Sequence, residues 1–263
     1  MNEVISSLQN ERVKMAYSLQ QRPRARRKEK KIVLEGTRLI GDALSRDGKP
    51  EFVLYSLQDA DYDLIAKLQN TSAKLLPVSD EVLQYVSDTQ QPQGMVAVFA
   101  MPIPPMPHKP KTVLMLDSVR EPGNMGTILR TAGASGVDVV VLSPECVDPY
   151  NPKVLRSGMG AHFRVPILEL QWFEIVQYLQ SMNIYVAAGE AETSYTDIDF
   201  SQPSVIVIGN EAHGVREAAK LPNATGVSIP MASGTESLNA AMASAVILFE
   251  AQRQRLLTSI DKK

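Results

Sequence analysis

The sequence predicts a two-domain α/β protein with a parallel sheet in its C-terminal part. Three observations predict it. Continuous apolar runs alternate with stretches of helical periodicity, the pattern of strands and helices stacked in layers. Five prolines crowd residues 100–111, AMPIPPMPHKPK, and such runs neither continue a helix nor occupy a central strand. The chain has 263 residues, 44% apolar and 21% charged, a globular composition and a length that suits one to two cored domains. The expected organisation is a small α/β domain over 1–99, a linker over 100–111 and an α/β domain over 112–263.

In the first part, residues 3–20 read as an opening helix. KIVLEG (31–36) is a strand ending at Gly36, and Leu39, Ile40, Ala43 and Leu44 then recur at helical spacing. EFVLYS (51–56) is a second strand, Leu64, Ile65 and Leu68 mark a helix, AKLLPVS (73–79) is a short strand and GMVAVFA (94–100) closes the unit. In the second part, TVLMLDS (112–118), VDVVVLS (137–143), IYVAAG (184–189) and SVIVIGN (204–210) are apolar throughout. Strands buried on both faces of a parallel sheet read this way. Helical stretches fall at 124–135 and 171–182, and Leu238, Ala241, Met242, Ala245 and Phe249 form one stripe of a final helix.

Composition excludes several classes. With 27 basic and 29 acidic residues the formal charge is −2, so any nucleic-acid contact must use a local patch. The run RPRARRKEKK (22–31) supplies one. Its Arg24, Arg26, Arg27 and Lys28 suit phosphate contacts, which give affinity without sequence readout; the alternative is a solvated linker between two helices. A single cysteine, Cys146, excludes an internal disulfide, and with three histidines a cysteine-rich zinc site is excluded as well, so no metal is expected. The polar start MNEVISSLQNER is no signal peptide. The longest apolar stretch, 240–249, includes Ser244 and falls short of the roughly 20 residues of a membrane span. A cytoplasmic protein without membrane contact is expected.

Three stretches carry chemistry, each beginning at the carboxyl end of a strand, where ligands of open α/β sheets bind. In EPGNMGTILRTAGASG (121–136), Asn124 is placed to cap a helix, and Arg130 lies off the core stripe of Met125, Ile128, Leu129 and Ala132, flanked by Gly126 and Gly133. In SVIVIGNEAHGV (204–215) a strand runs into Gly-Asn-Glu; it is no phosphate-binding loop, since Lys-Ser/Thr is missing. In VSIPMASGTESLNAAMASA (227–245), Ser233 and Glu236 have capping-box spacing ahead of the last helix.

These three stretches, in this order, resemble the motifs of the SpoU (TrmH) family of RNA ribose 2′-O-methyltransferases: NMGTILRTAGASG (124–136), VIGNEAHGV (207–215) and SIPMASGTESLNAAMASA (228–245), with RSGMGAHFRVP (156–166) between them. VLEGTRLIGDAL (33–44) further resembles the substrate-binding domain ahead of many such enzymes, itself similar to a small ribosomal RNA-binding protein. The resemblance is strongest to ribosomal RNA members, including the thiostrepton-resistance type. It implies a deep trefoil knot in the C-terminal domain, a homodimer, and S-adenosylmethionine as cofactor. By motif position it implies Asn124, Arg130, Glu211, Ser237 and Asn239 as catalytic, Gly209, Asn210, Ile229, Met231 and Leu238 as cofactor-binding, and Arg156 as a basic position near the RNA. The turn after Gly209 departs from the Glu-Gly-x-Gly of many relatives.

The implied reaction moves a methyl group from sulfonium to a ribose 2′-hydroxyl of structured RNA, most readily ribosomal RNA. A guanidinium stays protonated in proteins, so Arg130 fits binding a neighbouring phosphate and stabilising developing oxyanion charge better than it fits a base. Two other readings stand beside this one: a tRNA 2′-O-methyltransferase, and a catalytically silent RNA-binding protein on the same fold. Intact Asn124, Arg130 and Asn239 speak against the second.

Overall fold

Asn10 starts the first helix. Its side chain accepts from the Arg12 N–H at 2.9 Å, and α1 runs Glu11–Gln21, so the opening helix is shorter than the 3–20 expected. The residues before the cap join a sheet edge instead: the Ile5 N–H donates to the Pro77 carbonyl, and the Ser79 N–H to that of Ile5. The computed structural model describes residues 3–210, 214–215, 217–233 and 237–260. The basic run is a second helix, α2 (Pro23–Glu29), begun by Pro23, whose missing N–H costs nothing in the first turn.

β1 (Lys31–Glu35), α3 (Thr37–Leu44), β2 (Pro50–Ser56), α4 (Tyr62–Gln69), β3 (Lys74–Val78), α5 (Asp80–Val86) and β4 (Met95–Ala100) complete this region. The sheet order is β1-β4-β2-β3, parallel between β2 and β3 and antiparallel elsewhere. Successive strand residues point to opposite faces. Ile32, Leu34, Met95, Ala97 and Phe99 meet α3 and α4, while Val33, Val96 and Val98 meet α1 and α5. Burial on both faces is why these strands read as unbroken apolar runs.

The second sheet is built from β5 (Thr112–Leu116), then after α6 (Pro122–Ala134) from β6 (Val139–Leu142), and after α7 (Pro152–Gly158) from β7 (Ile167–Glu169). Following α8 (Trp172–Leu179) come β8 (Asn183–Ala187), β9 (Ser204–Ile208) and β10 (Ala224–Val227), and α9 (Ala240–Ile260) ends the described chain. The six strands are all parallel, in the order β10-β8-β9-β5-β6-β7. β5, β6 and β9 are buried at every position. Ile175 and Leu179 of α8 cover one face, and α6 and α9 pack together.

The chain divides into two compact units, Met1–Ile103 with Tyr150–Phe163, and Pro104–Pro149 with Arg164–Lys263. An uninterrupted domain over 112–263 is therefore corrected: α7 belongs to the first unit, where Leu155 joins the core of Ile40 and Phe99. Local periodicity cannot report such an excursion, because a helix of seven residues looks the same whichever core it enters. The expected stripe of the last helix is also revised. Among the described residues of α9, Ala241, Ser244, Ile247, Leu248 and Ala251 are buried, whereas Met242 and Phe249 are 55% and 48% exposed.

Candidate functional site

The carboxyl ends of β8, β9 and β10 surround a cavity of about 690 Å³, within the range of small-molecule sites. Three local devices that the sequence encodes stand at or beside it.

At the end of β5, Asp117 is buried and its Oδ2 accepts from the Ala218 N–H at 3.1 Å. Ser118 follows at φ 60°, and its N–H donates to Ser143 Oγ at 2.9 Å. The chain then enters α6, whose cap is Glu121, not Asn124: the Glu121 carboxylate accepts from the Asn124 N–H at 2.8 Å, with Pro122 opening the first turn. A carboxylate there also complements the helix dipole. The expected capping role of Asn124 is thereby corrected, and its side chain is turned to another task. Its Oδ1 accepts from Asn239 Nδ2 at 3.0 Å. Arg130 stands exposed, on the face away from the buried Met125, Ile128, Leu129 and Ala132.

β9 ends at Ile208 and leads to Gly209. A Cβ on Gly209 would lie 2.3 Å from the Gly214 carbonyl carbon and 2.4 Å from the Val215 nitrogen. Glycine is demanded there by the chain's own backbone, because Asn210 and Gly214 exchange two hydrogen bonds of 2.9 and 2.8 Å. Asn210 Nδ2 donates in turn to the Ser118 carbonyl at 2.9 Å, tying this turn to the end of β5. Glu211 lies outside the described residues.

Another wall follows β10. The Ser228 N–H donates to the Thr193 carbonyl at 2.8 Å, after which Ile229 and Met231 line the cavity. Asn239 caps α9, its Oδ1 accepting from the Ala241 N–H at 2.9 Å. Asn239 rather than Ser233 stands at the start of α9, and Glu236, the other half of the capping-box spacing, lies outside the described residues. Ser237, Leu238 and Asn239 all face the cavity, the last joined to Asn124.

The cavity therefore brings together Gly209, Asn210, Ile229, Met231, Leu238, Ser237 and Asn239 from the sequence-derived set, with Asn124 one hydrogen bond away. Arg24, Arg27 and Lys28 are exposed on α2. Arg26 leaves that set: it is 2% exposed, and its Nη1 donates to the Leu19 carbonyl at 2.6 Å and the Gln20 carbonyl at 3.2 Å. It closes the end of α1, because those last-turn carbonyls have no partner within the helix. Arg156 is ion-paired with Asp88 in the first unit, so its charge is already compensated. Sequence reasoning missed the wall formed by Val186, Ala187, Ala188, Gly189 and Glu190. The signal was the end of the apolar run at Gly189, the same strand-end rule that located the other walls.

S-adenosylmethionine fits these residues. Val186, Ile208, Val227, Ile229 and Leu238 offer an apolar wall for a ring, and the ends of three parallel strands supply backbone donors and acceptors. Among the described residues no group of His, Cys, Asp and Glu could hold a metal ion. Cys146 borders the end of β5, its Sγ donating to the Leu116 carbonyl at 3.3 Å, and burial pushes its thiol pKa above the ordinary value.

A family model described as the SpoU rRNA Methylase family matches residues 111–249. A model described as the MRM3-like substrate binding domain matches residues 10–97. A mitochondrial rRNA methyltransferase 3A of Danio rerio is 38% identical, over 89% of this chain; the chain spans 66% of that protein's length. A 23S rRNA guanosine 2′-O-methyltransferase of Bacillus subtilis, RlmP, is 31% identical over 93% of this chain and 97% of its own length. The crystal structure of an AdoMet-bound rRNA methyltransferase from Sinorhizobium meliloti superposes with a TM-score of 0.81 at 30% identity, covering 95% of this chain and 97% of that one.

Proposed function

The chain belongs to the SpoU rRNA methylase family, and on that premise we propose that it transfers a methyl group from S-adenosylmethionine to a ribose 2′-hydroxyl of ribosomal RNA. Its fold is the α/β trefoil-knot class of that family. The observation that carries the reading is the junction of Asn239 with Asn124 at the mouth of the strand-end cavity, since it sets a pair of amides beside the space a cofactor would fill.

The cofactor, when bound, supplies a methyl group on sulfonium, which needs no further activation. The protein's own work concerns the hydroxyl. Asn239 spends its Oδ1 on the helix cap and one Nδ2 proton on Asn124, which fixes the amide and aims its second proton at a ribose oxygen. Arg130, exposed on α6, binds a phosphate beside the target ribose and stabilises negative charge developing on the 2′-oxygen. The hydroxyl proton passes to water or to an RNA phosphate, because a guanidinium is no base. Ser237 and Glu211 complete the set by motif position.

The exposed Arg24, Arg27 and Lys28 support an RNA grip in the first unit. A homodimer is part of the same reading. Met242, Phe249, Leu256 and Leu257 are each about half exposed along α9, and apolar patches of this kind mark protein interfaces. Sedimentation of the full chain tests it, and a monomer at high concentration rejects it. Among the described residues no helix is long and apolar enough to cross a membrane; we place the protein in the cytoplasm, and cell fractionation checks that placement.

The test of function is transfer of labelled methyl from S-adenosylmethionine to purified RNAs, followed by mapping of 2′-O-methyl positions. Label in ribosomal RNA at one nucleotide is expected. Label confined to tRNA, or cofactor binding without transfer to any RNA, overturns the reading.

A further inference from the structure

Glu190 stands at the rim of the cavity on the short loop that follows β8, and it is the one ionisable side chain among the described residues that line it. The loop is held in place. The Ala188 N–H donates to the Val227 carbonyl at 2.9 Å, the Ala191 N–H returns to the Ala188 carbonyl at 3.2 Å, and Gly226 leaves only 3.2 Å between a would-be Cβ and that of Ala191. The backbone on either side of Glu190 is therefore tied to the end of β10, its own side chain is exposed to solvent, and no described lysine or arginine lines the cavity to offset it.

We propose that Glu190 is a specificity-determining residue that makes the cavity prefer a cationic ligand over its neutral counterpart, and so favours S-adenosylmethionine over the demethylated product. This rests on the cofactor reading of the cavity. The sulfonium carries a positive charge, which is lost when the methyl leaves and the carbon–sulfur electron pair stays on sulfur. A carboxylate at the rim attracts the extra positive charge of the first species, which the second, a net-neutral zwitterion, lacks. The preference lightens product inhibition, since the spent ligand loses an attraction that the incoming one retains.

The experiment is calorimetric titration of wild type and Glu190→Gln with S-adenosylmethionine and with S-adenosylhomocysteine, at low and high ionic strength. The substitution keeps size and removes the charge, exchanging one acceptor oxygen for an amide donor. It is expected to weaken S-adenosylmethionine about twofold to fivefold, as for one solvent-screened charge pair, and to leave S-adenosylhomocysteine within about 1.5-fold. The wild-type preference should shrink as salt rises, because screening shortens the reach of the carboxylate. If the substitution weakens both ligands equally, Glu190 contacts a part common to them, such as the ribose, and the charge role is wrong. If neither changes, Glu190 takes no part in recognition. A wild-type protein that binds neither ligand rejects the cofactor reading itself, an outcome that the wild-type titrations alone reveal.

Discussion

The side-chain amide of Asn239 donates to Oδ1 of Asn124 across 3.0 Å, joining the start of the last helix to the first turn of α6, 115 residues away in sequence. Asn239 also caps α9 through its Oδ1. One residue thus performs two tasks that substitution separates. Asn239→Asp keeps an oxygen for the cap but loses the donor to Asn124. It should leave the thermal midpoint nearly unchanged and lower methyl transfer at least threefold to tenfold, about the worth of one hydrogen bond. Asn239→Ala should lose both, with about 0.5–2 kcal/mol of stability gone with the cap. Thermal melts beside single-turnover rates check this, and full transfer by the aspartate variant would show that the pair is ornamental.

Gly209→Ala places a methyl group 2.3 Å from the Gly214 carbonyl carbon. Backbone, unlike a side-chain tip, cannot swing aside, so the hydrogen-bonded pair of Asn210 and Gly214 must part. A loss of about 1–3 kcal/mol, the usual cost of overpacking, is expected together with loss of cofactor binding. The reason differs from a glycine that only makes room for ligand: destabilisation should appear in the cofactor-free protein. Unchanged melting and unchanged calorimetry would contradict the close approach.

Arg130→Ala should reduce kcat about 10²-fold to 10³-fold, the range for losing one donor to a developing oxyanion. Arg130 is exposed and is not among the residues lining the cavity, so cofactor affinity should stay within about twofold, the pattern of an interaction made only in the transition state. Arg130→Lys should rescue little, because an ammonium cannot bind phosphate bidentately. Restored turnover in the lysine variant would reduce the role to simple charge.

Replacing Arg24, Arg27 and Lys28 by alanine should weaken RNA binding and flatten its dependence on log salt, by about one unit of slope for each phosphate no longer neutralised. Arg26→Ala is the control: its bonds to Leu19 and Gln20 predict lower stability with an unaltered salt dependence. Truncating the chain after the proline-rich stretch is a poorer test, since it would strip α7 of the core that Leu155 joins. Equal slopes for wild type and the triple variant would place the RNA grip elsewhere.

The carboxyl of Glu250 is held below its ordinary value of 4.5 by hydrogen bonds, first from Arg253 and then from Gln254, working against burial. Its folded pKa is the lower one, so its contribution to stability is present above about pH 4.5 and fades as pH falls through the depressed value. Arg253 reaches into solvent, which screens the pair, and the effect should stay below about 1 kcal/mol. Melts of wild type and Glu250→Gln should converge in acid, and a constant difference across that range would exclude this source.

Periodicity and motif order sufficed for the layers and for most of the cavity. Strands such as 112–116 and 204–208 are buried on both faces, so each carries its own unbroken apolar record, and the carboxyl ends of strands in a parallel sheet are where a crevice opens. The tertiary structure decided what depends on a distant partner. Arg24 and Arg26 stand in one basic run, and only the position of the α1 carboxyl end sorts the exposed arginine from the buried one. Asn124 and Glu121 both have capping chemistry, and the choice fell to Glu121 while Asn239 engaged Asn124. Leu155 is apolar in any context, but its attachment to the first unit follows from packing against Ile40 and Phe99. A sequence records each residue's preference for water or for a local turn; which partner satisfies that preference is settled when segments far apart in the chain compete for the same space.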